Sequence, residues 1–277
     1  MKRTVNVLSK LNWGTRACAV LVLCATTAIA LRAQTLTTLY SFCSQTGCPD
    51  GAEPIAGLVQ AANGDLFGTT SGGSFLSYGT VFRITPGGTL TMAYSFCSDY
   101  PSCTDGADPY AGLVQAANGD FYGTTYGGGA NGYGGTVFKI TPSGSLTTLY
   151  SFCSQGGTSC TDGEAPYAGL VQDTNGDFYG TTYGGANNGG TVFRLSVGLG
   201  PFVKPRPPYG KVGAAVKILG TNLTGATSVG FNGTAAVFEV VSSSEITTTV
   251  PSGASSGKVQ VVTPIGTLSS NVPFRVP

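Results

Sequence analysis

The chain has 277 residues, 43 of them glycine, with only 10% charged residues and no histidine. Aromatic residues reach 10%, which together with regular apolar alternation excludes a disordered low-complexity chain and points to a turn-rich all-β protein. Between residues 34 and 200 only Arg83, Lys139 and Arg194 stand against eleven carboxylates. A phosphate-binding surface needs clustered Lys and Arg, so no nucleic-acid partner is expected.

The first 33 residues read as an export signal. Lys2, Arg3, Lys10 and Arg16 form a basic start, and ACAVLVLCATTAIAL (17–31) is the apolar stretch, with cleavage favoured after Ala33. That stretch falls short of the roughly 20 residues a spanning helix needs. The mature chain is therefore expected to carry no transmembrane span, and to be secreted or to lie at the cell surface or in the periplasm.

Residues 36–197 state one phrase three times. LTTLYSFCSQTGC, LTMAYSFCSDYPSC and LTTLYSFCSQGGTSC open the copies; GLVQ, a turn in AANGD or DTNGD, LFGTT or FYGTT, and GTVFRIT or its variants follow. Each unit holds four short extended segments separated by Asn-Gly-Asp and Pro-Gly-Gly or Pro-Ser-Gly, residues that supply the backbone angles of tight turns. A unit of this period buries its apolar face by stacking on a neighbour. The expectation is a propeller-like array of three four-stranded repeats over 34–197, with a β-helix as the competing architecture.

Each copy carries two cysteines: Cys43 and Cys48 in the first, Cys97 and Cys103 in the second, Cys153 and Cys160 in the third. The gap within a pair drifts from copy to copy, which fixed coordination geometry would not tolerate and a disulfide at a loop tip would. Six cysteines allow 15 pairings, of which the repeat symmetry selects the local one, in an oxidising compartment.

The phase of the copies carries its own expectation. The chain meets LTTLYSF (36–42), the closing strand of a unit, before any complete unit, and the third copy stops at GTVFRLS without one. Propellers have about four to eight blades. A homodimer exchanging strand 36–42 head to tail would close six; an open three-blade arc is the alternative.

Residues 198–208, GLGPFVKPRPP, read as a Pro/Gly-rich joint. Beyond it, AVKILG, TSVGFNG, TAAVFEVV, EITTTVP, GKVQVVTP and NVPFRV read as short strands of a two-sheet sandwich over 209–277, with Val216 and Ile218 on one face and Val259 and Val261 on another.

The phrase from Asn-Gly-Asp through Gly-Thr-Thr to Gly-Thr-Val-Phe resembles the GloVer tandem repeat of secreted bacterial proteins of the choice-of-anchor class, over 36–197. Residues 201–277, with GAAVKILGTN, VGF, VPSG and PFRV, resemble the IPT/TIG domain. The first resemblance implies export and surface anchoring with no established catalytic activity. The second implies an immunoglobulin-like fold serving as spacer or binding module.

No residue pattern marks a catalytic centre or a cofactor. The commonest nucleophile–base triads need histidine, and no pair among Glu53, Glu164, Glu239 and Glu245 is singled out for glycosidase chemistry. Asp50, Asp105 and Asp162, each followed by Gly, are weak calcium candidates, as oxygen ligands on loops; a turn role is the competing reading. Tyr126 and Tyr183, between Gly-Thr-Thr and Gly-Gly, are candidate binding residues, the alternative being packing against the next unit. The expected function is an exported, non-enzymatic scaffold or binding protein taking a glycan or protein. An extracellular carbohydrate-active enzyme using carboxylates and a purely structural surface protein are the alternatives.

Overall fold

The computed structural model describes residues 34–73, 78–155 and 160–277; the predicted signal segment lies outside them. The first unit forms one antiparallel sheet, β1 (Val59–Gln60), β2 (Leu66–Thr70), β3 (Thr80–Ile84) and β4 (Leu90–Ser95), in that spatial order. The second repeats it as β5 (Val114–Gln115), β6 (Phe121–Thr125), β7 (Thr136–Ile140) and β8 (Leu146–Ser151). The Asn-Gly-Asp turns close the first hairpin of each: Asn63 Nδ2 donates to Asp65 Oδ2, and the Asp65 N–H donates back to Asn63 Oδ1. The scarce basic residues answer the turn acids, Arg83 with Asp65, Lys139 with Asp120 and Arg194 with Asp177.

The third unit departs from the expected four strands. It has three, β9 (Val171–Gln172), β10 (Phe178–Thr182) and β11 (Thr191–Leu195), in the order β11-β10-β9, because no LTTLYSF text follows it. The segment 36–42, expected to be a strand, joins no ladder among the described residues.

Apolar cores lie between units rather than within them. Phe67, Val81 and Phe96 of the first unit pack with Leu113, Phe121, Phe138 and Ile140 of the second. Tyr122, Val137 and Phe152 of the second pack with Leu170 and Phe178 of the third. The ring stacks repeat: Phe67 on Phe121 at 4.2 Å, Tyr122 on Phe178 at 4.3 Å. A buried hydroxyl crosses each junction as well, Thr69 donating to the Ala111 carbonyl and Thr124 to that of Ala168. Both faces of β7 are therefore covered by neighbouring units, and in β3 Val81 meets the second unit while Phe82 meets Phe42, although both sequences alternate like half-exposed strands.

The glycine after each loop aspartate is required twice over. Gly106 has φ 107°, and a Cβ there would lie 2.5 Å from Thr125 Oγ1. That threonine pairs with Thr136 Oγ1 at 2.8 Å in the interior. The cysteines pair locally, as the repeat symmetry requires: Cys43 is disulfide-bonded to Cys48, Cys97 to Cys103 and Cys153 to Cys160. The first of these pairs differs from the second in setting. Cys97 and Cys103 are buried, with Tyr78 of the first unit packed on them, whereas Cys43 is exposed and Cys48 half-buried.

The C-terminal module is a sandwich of two antiparallel sheets. One is ordered β12 (Lys204–Arg206), β13 (Ala215–Leu219), β17 (Glu245–Thr249), β16 (Phe238–Ser242). The other is ordered β15 (Thr234–Ala236), β14 (Ser228–Phe231), β18 (Val259–Thr263), β19 (Gly266–Ser269). Val216, Ile218, Val259 and Val261 meet in its core with Phe231 and Phe274. The sandwich begins inside the expected joint, since Lys204–Arg206 pairs with Leu219–Lys217. It rests on the Asn-Gly-Asp end of the repeats: Arg275 donates to Gln60 Oε1 at 2.7 Å, Lys204 Nζ to the Gln172 carbonyl at 3.1 Å, and the Thr174 and Thr221 hydroxyls pair at 2.7 Å.

Candidate functional site: a tyrosine stripe at the loop end of the repeats

The strands β6 and β10 run from the Asn-Gly-Asp turn to Thr125 and Thr182, so Tyr126 and Tyr183 emerge at the end away from the sandwich contacts. Their backbones are tied down rather than looped freely. The Tyr126 N–H donates to the Asp108 carbonyl and that of Tyr183 to the Ala165 carbonyl, both at 3.0 Å, beside bridges pairing Ala107 with Gly127 and Glu164 with Gly184. Asp108 and Ala165 hold φ at 56°, turning the chain into Pro109 and Pro166 and then into Tyr110 and Tyr167. Each of these turns is also fastened to the preceding unit, the Asp108 N–H to the Tyr78 carbonyl and the Ala165 N–H to that of Gly134.

These anchors bring four rings into one stripe across the junction of the second and third units. Tyr110 stacks on Tyr167 at 5.3 Å and 15°, Tyr126 lies 4.7 Å from Tyr167, and Tyr183 meets Tyr167 edge-on at 5.7 Å. Tyr126 and Tyr183 are thus joined through Tyr167. Tyr167 is 49% exposed and Tyr183 76%, so aromatic surface faces solvent. In the first unit Ile55 and Ser71 stand at the corresponding positions, and the stripe ends there. Tyr110 and Tyr167 escaped sequence reading because Pro-Tyr-Ala-Gly resembles the lead-in to a strand. Their recurrence at one repeat position was the available signal.

Carboxylates border the stripe. Glu53 and Asp108 line an open pocket of about 370 Å³ with Cys48, Ser71 and Tyr110, and Ser71 Oγ donates to Glu53 Oε2 at 3.2 Å. Burial pushes the Asp108 carboxyl above the ordinary carboxylate range. Burial, and after it the Asp108 charge, raises the Tyr110 phenol; the hydrogen bond with Tyr126, and then burial, raises that of Tyr167. Both phenols keep their protons at neutral pH, and that of Tyr167 is directed at Tyr126. Glu164 lines a second open depression with Tyr183.

The calcium candidates occupy a different place. Asp50, Asp105 and Asp162 each sit behind their own disulfide loop and accept the hydroxyl of Tyr40, Tyr94 and Tyr150 at 2.7–2.8 Å. Asp50 and Asp105 also accept the N–H of Cys43 and Cys97. For Asp162 burial acts upward, but the Tyr150 and Ser154 donors outweigh it and hold the carboxyl below its ordinary range. Cys153, Cys160 and Glu164 are near enough to share an ion, yet the two sulfurs are bonded to each other and offer no thiolate.

Three stacked antiparallel sheets with inter-unit cores, pinched by local disulfides and followed by an immunoglobulin-like sandwich, define a stacked β-repeat protein, and the two family models it matches give it a surface or binding role. The chain belongs to the Gloeobacter/Verrucomicrobia repeat family, whose model matches residues 26–202, and it carries an IPT/TIG domain over 204–276. No curated protein matches it. Among solved structures it is similar to a fungal alcohol oxidase of the AA5 family in complex with copper, at 14% identity and TM-score 0.35 over 79% of this chain and 53% of that one. It is also similar to the gamma-CGTase of alkalophilic Bacillus clarkii, at 19% identity and TM-score 0.26 over 60% of this chain and 24% of that one. The chain thus spans about half the length of the first and a quarter of the second. No helix among the described residues is long and apolar enough to cross a membrane.

Proposed function

We propose that this is an exported, non-enzymatic binding protein whose tyrosine stripe takes a glycan at the cell exterior. The observation that carries the reading is the stack of Tyr110, Tyr126, Tyr167 and Tyr183, anchored by backbone hydrogen bonds and bordered by Glu53, Asp108 and Glu164. Aromatic faces on a rigid scaffold suit the apolar faces of sugar rings, while phenols and carboxylates suit their hydroxyls. Three disulfides agree with an oxidising location. The IPT/TIG domain, at the opposite end, leaves the stripe free.

Incubating the protein with a panel of insoluble polysaccharides tests this. Depletion from solution without release of reducing ends is expected. Tyr167→Ala, which removes the ring touching the other three, is expected to weaken binding about tenfold, the equivalent of ~1.4 kcal/mol, with the fold intact by circular dichroism. Reducing-end release would replace the proposal with a carboxylate-based enzyme. Binding to no polysaccharide would leave a structural surface protein.

A further inference from the structure

The two ends of the repeat array expose surfaces that the interior junctions bury. At the third unit, Val192 is 80% exposed, whereas its counterparts Val81 and Val137 are 0% and 1% exposed. On the neighbouring strand Thr181 is exposed, while Thr69 and Thr124 at the same position are buried and bonded to the next unit. At the first unit the opposite faces are bare. Leu58 is 52% exposed, and its counterparts Leu113 and Leu170 are 9% and 8% exposed, inside the inter-unit cores.

One edge and one strand text complete the match. β11 lies at the margin of its sheet, where β3 and β7 each pair with a strand reading LTMAYS or LTTLYS. That text occurs once more, at 36–42, and there it pairs with nothing among the described residues. Its C-terminal part already holds the posture of a preceding unit's last strand. The Leu39 carbonyl sits over Gly88 as the Ala93 carbonyl sits over Gly144. Phe42 meets Phe82 at 5.0 Å, as Phe96 meets Phe138 and Phe152 meets Phe193, both at 5.1 Å.

We infer that the third unit of one chain receives residues 36–42 and the first unit of a second copy of the same chain, head to tail. The junction reproduces the register of the interior pairs. Val81 faces Tyr94 and Arg83 faces Thr91, so Val192 faces the partner's Tyr40 and Arg194 the partner's Thr37. The Thr181 hydroxyl finds the partner's Ala56 carbonyl, and the half-buried Tyr179 covers the partner's Leu66, by the pattern of Tyr122 on Phe178. Pairing removes an open sheet edge that would otherwise invite unspecific association. Two copies so joined make six sheets, within the range that closes as a ring.

The mass of the disulfide-intact chain by light scattering is the first measurement, with twice the single-chain mass expected. Val192→Lys places a charge where the partner's tyrosine packs, and Thr38→Pro removes a ladder donor from a segment that joins no sheet among the described residues. Both are expected to give the single-chain mass with an unchanged circular dichroism spectrum. If the first fails to fold, the second decides. Mixing a Thr37→Cys chain with an Arg194→Cys chain under mild oxidation is expected to give a covalent two-chain species that neither gives alone. A longer series of oligomers that crosslinks in this way supports the junction in an open form. A single-chain mass for the unmodified protein, or a dimer in which this pair fails to crosslink, overturns the inference.

Discussion

Replacing Tyr94 by phenylalanine deletes one hydroxyl, 2.8 Å from Asp105 Oδ2, and tests what the loop aspartates do. A hydrogen bond to a charged acceptor contributes about 1.5–3 kcal/mol, and the half-buried ring puts this one at the lower end, about 1.5 kcal/mol. Asp105 also accepts the Cys97 N–H at 3.0 Å, the Ser98 N–H at 3.1 Å and Ser98 Oγ at 3.0 Å. Asp105→Ala strands those donors together, including the N–H of Cys97, which is 2% exposed and keeps only a 3.2 Å contact with the Gly106 carbonyl. Its expected cost is about 3 kcal/mol, roughly twice that of Tyr94→Phe. The double variant should cost no more than Asp105→Ala alone, because the hydroxyl has already lost its acceptor. Urea unfolding of the disulfide-intact protein, with and without calcium, reads all three. If calcium raises the wild-type midpoint but not that of Asp105→Ala, or if Tyr94→Phe is neutral, the aspartate is not a structural acceptor.

The same tyrosine sets an alkaline limit. Burial first, and the Asp105 carboxylate against the Ser98 hydroxyl, lift its phenol from 10.0 to about 12. The folded state keeps a proton that the unfolded chain releases, so this contribution is whole below pH 10 and is lost as pH rises to about 12. A rise of that size corresponds to ~2.7 kcal/mol, halved to about 1.4 kcal/mol for the ring's solvent access, and stability measured across that range in wild type and Tyr94→Phe should differ accordingly. Gly123→Ala forces a Cβ to within 2.6 Å of Phe138 Cζ and 2.8 Å of Leu113 Cδ2, and is expected to cost about 1–3 kcal/mol in a chemical-denaturation midpoint. Phe138→Ala, at a ring with 0% exposure, should cost about 3–5 kcal/mol and deprotect amides of both the first and second units in hydrogen exchange. Replacing Cys97 and Cys103 together by alanine should cost about 2 kcal/mol by the same denaturation assay, in keeping with a short closed loop.

Much of the architecture was legible because turn chemistry is local. Asn-Gly-Asp and Pro-Ser-Gly mark chain reversals whatever surrounds them, and the strands between them fell where the repeated text put them. Which surfaces those strands would bury was not legible. Thr-Val-Phe-Lys-Ile alternates as if one face met water, yet Val137 and Phe138 are both buried because a unit stacks on each side of the text. The tyrosine stripe was half visible. Tyr126 and Tyr183 stand out beside glycines, whereas Tyr110 and Tyr167 join them only through the left-handed turn at Asp108 and Ala165. The fate of 36–42 is a non-local matter. The phase of the copies shows that the third unit lacks this strand, but a strand also needs that edge within reach. Reach is set by the stacked units rather than by the text.

The sandwich touches the repeats at both extremes of the array, through Gln60 in the first unit and through Gln172 and Thr174 in the third. A single rigid body moored to both extremes works as a ruler. Adding a fourth unit between them, or removing the middle one, would carry Gln60 or Thr174 out of reach of Arg275 or Thr221. Duplication of units within a gene is otherwise nearly free for a stacked repeat, since each new copy brings its own half-interfaces. In this chain the C-terminal module makes copy number a geometric commitment.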